Sequence, residues 1–180
     1  MRVLPGLILK TLSAAFLVAL SFPVHALSLE QIRNVPDLTP SKFASFFRDF
    51  EFKFHREVQS PDVFLATRSG DCDDFSTLAA AVLREKGYTT RLITVRMPGV
   101  THVVCYVEET ESYLDYNNRS YFDRTVAAKP QIEAIAQSVA KSYKLDWISA
   151  TEFSFDDGAK RLVQTVLPSK KEKSFAALFR

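Results

Sequence analysis

The sequence predicts one α+β domain, in which a single well-marked amphipathic helix packs on a small antiparallel β-sheet. Three observations carry that expectation. Phe75, Leu78, Ala79, Val82 and Leu83 recur at helical spacing. After Gly87 the apolar period switches from helical to alternating. Further on, Asp156-Asp157-Gly158 separates two apolar runs as a hairpin turn would. With 180 residues, 47% hydrophobic and 12% aromatic, the chain has apolar material for one sizeable core but not for two.

The leading segment reads as an address. Arg2 and Lys10 supply positive charge, Thr11 to Phe22 is an apolar run short for a bilayer, and Pro23 breaks it before Val24-His25-Ala26. Residues 1–26 are therefore expected to be a signal peptide cut after Ala26, leaving a periplasmic or secreted protein with no stable membrane span; a retained anchor is the competing reading. Removing Arg2 and Lys10 from the 23 basic residues leaves 21 against 21 acidic ones, a balance that gives no argument for nucleic-acid binding.

Beyond a poorly patterned stretch from Ser28 to Asp37, Thr39-Pro40 caps a helix expected to run to about Phe50. Phe50, Phe52 and Phe54 alternate with polar residues, which suggests a strand with one buried aromatic face, continuation of the helix being the other reading. Ser60-Pro61 starts a short helix ending near Thr67, and Arg68-Ser69-Gly70 turns the chain. The best-defined helix follows, with Asp71 as N-cap, Asp73 and Asp74 at its positive end and Gly87 as its stop. Strands are expected over Thr89–Val95, His102–Val107 and Tyr113–Tyr116. Pro130 opens another amphipathic helix with apolar positions Ile132, Ile135, Ala136, Val139 and Tyr143. A hairpin then spans Asp146–Phe155 and Lys160–Leu167, and the basic tail, residues 169–180, reads as a solvated end, with docking on an anionic surface as the other reading.

The chemistry concentrates in the middle of the chain. Cys72 sits in the first turn of its helix, where unpaired N–H groups and the helix dipole favour a thiolate. The flanking Asp71, Asp73 and Asp74 oppose it, so an imidazolium partner is required. Of the three histidines, His25 leaves with the signal and His55 lies on the polar side of the phenylalanine stripe, which makes His102 the better base. Asp115, or Asn117 in reserve, would orient the second ring nitrogen; a four-residue loop after Val107 places Asp115 across from Val104, diagonal to His102 on the same face, whereas a two-residue turn places it directly opposite. Cys105 has the opposite parity to His102, which argues against a Cys72–Cys105 disulfide, the default for an exported pair. For an oxyanion, the Cys72 N–H is the one donor to name, with Gln59 a distant candidate.

The run Ser69-Gly70-Asp71-Cys72-Asp73-Asp74-Phe75, with Leu78-Ala79-Ala80, Leu83-Arg84, Gly87-Tyr88 and Arg91, resembles the core of transglutaminase-like proteins, a superfamily that includes bacterial cysteine proteinases. The resemblance covers about Ser60 to Asn118 and implies a papain-like, transglutaminase-like fold over residues 27–168. It also implies Cys72 as nucleophile, His102 as base and Asp115 as orienter. Some members with a similar acidic run bind calcium beside the active site, so Asp71, Asp73 and Asp74 are candidate ligands, although no cofactor is required. Val103-Val104 and Tyr116-Asn117-Asn118 depart from better-known members and weaken the case for protein cross-linking.

The expected activity is thiol attack on an amide or acyl bond of a protein or peptide substrate, a protease or amidase if water resolves the thioester, a transglutaminase if an amine does. A non-catalytic binding module that kept the fold is the competitor from another class.

Overall fold

The structure, a computed structural model, describes residues 27–119, 125–156 and 159–169. The expected signal peptide, the Asp157-Gly158 turn and the tail from Lys170 onward lie outside the described residues. No described helix is long and apolar enough to cross a membrane.

The fold is α+β, built on an antiparallel sheet. Its helices are α1 (Leu29–Arg33), α2 (Pro40–Ser45), α3 (Pro61–Thr67), α4 (Cys72–Glu85) and α5 (Ile132–Tyr143). Two short strands, β1 (Glu51–Phe52) and β2 (Ser69–Gly70), pair in parallel beside α3. Six more make the main sheet: β3 (Thr90–Met97), β4 (Val100–Val107), β5 (Ser112–Leu114), β6 (Thr125–Ala127), β7 (Ser149–Asp156) and β8 (Ala159–Val166), in the order β6-β5-β4-β3-β7-β8.

Strand parity divides the core in two. Val103, Cys105 and Val107 of β4 join Phe75, Leu78, Val82 and Leu83 of α4, together with Phe43, Phe47 and Phe64, in one cluster. Val104 and Tyr106 turn the other way and meet Ile132, Ile135, Ala136 and Val139 of α5. The central strands are therefore covered on both faces, and each fully buried Leu, Val or Phe adds about 1.5–3 kcal/mol to the driving force. Two hydrogen bonds set α4 on the sheet: Ser76 Oγ donates to the Val103 carbonyl of β4 at 3.1 Å, and Thr90 Oγ1 of β3 donates to the Ala80 carbonyl at 3.3 Å. Arg91 ties β3 to its surroundings, donating to both carboxylate oxygens of Glu152 at 3.1 and 2.8 Å and to the Pro130 carbonyl at 2.6 Å.

α4 starts and stops as its capping residues dictate. Asp71 accepts from Asp73 N–H, Asp74 reaches back to Asp71 N–H, and Gly87 at φ 88° lets Tyr88 N–H return to the Leu83 carbonyl.

Several expectations are corrected. α2 ends at Ser45 rather than near Phe50, because the chain tightens into turns, with Phe46, Phe47 and Phe50 N–H groups each bonding three residues back. Only Phe50 of the expected aromatic face is buried; Phe52 is 60% and Phe54 77% exposed. β5 stops at Leu114, and Asp115 caps a 3₁₀ turn over Tyr116–Asn118 instead of continuing the strand. α1 and β6 have no counterpart in the sequence reading, and Ser69-Gly70, expected in a turn, forms β2. The parity argument about Cys105 also fails in its reasoning: Cys105 points toward α4, not away from it. Both cysteines are nonetheless free. They are separated along the helix, since Cys72 begins α4 whereas Cys105 lies within reach of the charge of Arg84 in its last turn.

Candidate active site

The expected nucleophile, base and carboxylate come from three separate elements and converge at the β3–β4 turn end of the sheet. Cys72 occupies the first position of α4, partly exposed. His102 lies near the start of β4, and Asp115 follows the last residue of β5. Four residues link β4 to β5, and the pairing Cys105↔Leu114 sets Asp115 across from Val104, the diagonal placement of the two foreseen. The strand ends there and the carboxylate turns to the ring: His102 Nε2 and Asp115 Oδ1 are 2.9 Å apart, both side chains buried. That contact leaves Nδ1 for sulfur.

Burial by itself would strip the imidazole of its proton. The hydrogen bond to Asp115, the nearness of Cys72 and the charges of both outweigh it, and the ring's pKa rises to about 10. Cys105 is the opposite case, a thiol whose burial pushes its pKa up to about 12 and leaves it inert.

The acids around Cys72 form a hydrogen-bonding hub. Asp71 Oδ2 accepts from His55 N–H at 2.9 Å and Oδ1 from Asp73 N–H at 3.2 Å. Asp74 accepts from Gln59 N–H at 2.6 Å, Gln59 Nε2 at 2.8 Å and Asp71 N–H at 3.0 Å. Burial, followed by the hydrogen bond and charge of Asp71 and the charge of Asp74, pushes the Asp73 carboxyl to about 8. Asp73 therefore keeps its proton near neutrality, and the repulsion that three aspartates would exert on a thiolate is reduced.

As calcium ligands the three acids have oxygens within 4.8 Å of one another. Every oxygen of Asp71 and Asp74 already takes an N–H donor, and Asp73 Oδ1 alone is buried without a partner. Those bonds are the bonds of a helix cap, and a calcium ion held there would need further oxygens beyond these three carboxylates.

Gln59 is not available to an oxyanion. Its amide donates to Asp74 Oδ2 and to the Ser69 carbonyl, and it lines a separate small cavity with Phe64 and Leu78. Asn117, the reserve orienter, gives its backbone N–H to Asp115 Oδ1 at 2.8 Å and its side chain to Tyr143. A cleft of about 430 Å³ opens on Cys72 and His102, walled by Phe52, Phe54, Val100, Val103 and Tyr143. The sequence reading placed Phe52 in the core, and nothing in an aromatic stripe distinguishes a core ring from the wall of a cleft; Tyr143 packs against the α5 core cluster as expected and also reaches the cleft.

Gly70 is required by space. A Cβ there would lie 2.6 Å from Asp74 Oδ2 and 2.6 Å from two Phe64 ring carbons. Both neighbours are held, one by its hydrogen bonds and the other by the aromatic core. Gly70→Ala is expected to cost about 1–3 kcal/mol, read as a lower denaturant midpoint; an unchanged midpoint would show that α3 and α4 can separate freely.

The family model for the transglutaminase-like superfamily matches residues 41–117. The match spans Cys72, His102 and Asp115 and stops short of α5 and the β7–β8 hairpin. No curated protein matches the chain.

Proposed function

We propose, from the transglutaminase-like domain that residues 41–117 form, that this protein is an exported thiol hydrolase that cleaves an amide or acyl bond in a protein or peptide. The observation that carries the proposal is the buried 2.9 Å contact between His102 Nε2 and Asp115 Oδ1, on a ring whose other nitrogen is left for the Cys72 thiol in an open cleft.

In this mechanism the sulfur proton rests on His102, and Asp115 holds the ring in orientation and balances its charge. The thiolate attacks the carbonyl carbon, and the Cys72 N–H, at a helix start where N–H groups lack intrahelical partners, donates to the developing oxyanion. The C–N bond breaks as the imidazolium gives its proton to the leaving amine, and a thioester remains. Water then adds to the thioester, His102 takes its proton, and the thiolate leaves as the C–S bond breaks. The exposed rings of Phe52 and Phe54 offer apolar surface to the substrate beside the nucleophile.

The test is a set of unmodified and amine-supplemented peptide digests with the mature protein, whose first residue after export is proposed to be Leu27. New carboxyl termini that disappear in Cys72→Ala support hydrolysis. Incorporation of the added amine in place of water assigns the transfer reaction instead, and no turnover by either route overturns the enzyme reading.

A further inference from the structure

The helix beyond the family match supplies a residue to the site. Tyr143 is the last residue of α5, and its backbone is fixed because Lys144 at φ 55° lets Leu145 N–H close on the Ala140 carbonyl. Its ring packs against the His102 imidazole, centroids 5.3 Å apart and tilted by 59°. Its hydroxyl accepts from Asn117 Nδ2 at 2.6 Å. Asn117 in turn gives its backbone N–H to Asp115 Oδ1, the oxygen that also takes His102 Nε2.

These contacts make a closed circuit of His102, Asp115, Asn117 and Tyr143. The turn that carries Asn117 is itself anchored: Tyr116 Oη donates to the Glu51 carbonyl at 2.9 Å, and Arg119 lies over the Tyr116 ring at 3.9 Å while donating to the Phe50 carbonyl.

Resting on the thiol-enzyme reading above, we infer that Tyr143 is a positioning residue, which with Asn117 holds the His102 ring between Asp115 and Cys72 and shields the ring's bond to Asp115 from water. The physical reason is geometric. By strand parity His102 points toward the α5 face, whereas α4, which carries Cys72, covers the other face. On that side the ring lies off the body of α4, and Tyr143 packs against it. An imidazole held in one rotamer spends more of its time in the orientation that takes the sulfur proton. The charged or titratable groups facing Tyr143 are His102 from β4, Asp115 and Tyr113 from β5 and its end, and Cys72 from α4.

The test is the pH profile of Cys72 alkylation by iodoacetamide, followed by mass spectrometry from about pH 5 to about pH 9. Tyr143→Ala is expected to slow alkylation at about pH 6 by roughly ten-fold. Tyr143→Phe keeps the ring and loses the hydroxyl, and Asn117→Ala loses only the donor side chain. Each should slow it by about three-fold and move the acid limb upward, and the double variant should be no slower than either single one. Because Tyr143→Ala removes a packed ring, the two conservative variants decide the question if it fails to fold. Profiles of Tyr143→Phe and Asn117→Ala that superimpose on the parent, with only melting temperature lowered, overturn the inference while His102→Ala still shows the loss. If His102→Ala itself matches the parent, the thiol-enzyme reading has failed and this one falls with it.

Discussion

Iodoacetamide at about pH 6 is expected to alkylate Cys72 and leave Cys105 untouched in the folded protein, with the selectivity collapsing in His102→Ala. A free thiol near its ordinary pKa of about 8.5 is only about one part in 300 thiolate at that pH. Cys105, raised to about 12 and fully enclosed in the α4 core, is thiolate to about one part in a million. Cys72 has three supports that Cys105 lacks: the start of α4, an open cleft, and an imidazole that keeps its proton because Asp115 stands behind it. The rate at Cys72 is expected to exceed that of a simple thiol by about ten-fold or more, and His102→Ala to remove about that factor. Quantifying both modified peptides by mass spectrometry checks this. Slow and equal labelling of both cysteines would mark a binding module that kept the fold, and two cysteines found oxidised together would remove the nucleophile.

The second large effect belongs to Asp115. Asp115→Ala leaves a buried imidazole without its carboxylate, and breaking a buried pair on one side costs about 3–5 kcal/mol. Asp115→Asn can still accept a hydrogen bond and separates charge from shape. Stability against pH reads the difference. His102 has a folded pKa near 10, above its ordinary 6.5, so its stabilisation is fully present below about 6.5 and is lost as pH rises through 10. Asp73, raised from 3.8 to about 8, acts in the same direction at lower pH, because its proton is retained in the folded state and given up at a cost. The parent protein should therefore lose stability steadily from mildly acidic to alkaline pH. In Asp115→Asn the part of that slope between about 6.5 and 10 should flatten while the Asp73 part remains. Denaturant titrations at several pH values check this, and a parent curve that rises toward pH 10 would mean that the pair is not charged.

Much of the candidate site is legible in the sequence. Cys72 at a helix start follows from Asp71 as cap and the stripe from Phe75 to Leu83, all within one turn-helix-turn segment. His102 and Asp115 were reachable because two neighbouring strands and a short loop leave few registers. The misses share a cause. Phe52 and Phe54 have the alternation of a buried strand, yet the segment pairs with only the two residues of β2 and its rings face the cleft. Cys105 was turned the wrong way because parity says that two residues face oppositely but not which helix covers which face. α5 lies on the His102 side, so Cys72 and His102 come to one cleft around the end of the sheet.

The local sequence of this protein determined which residues could do chemistry, where the α4 helix begins and ends, and that an antiparallel sheet follows it, because caps, periodicity and turns act over a few residues. The tertiary structure alone decided which side of the sheet each helix takes, that Asn117 and Tyr143 close on His102 and Asp115, and that Gln59 is spent on Asp74. Those outcomes depend on packing between segments far apart in the chain, and no short-range pattern encodes that distance.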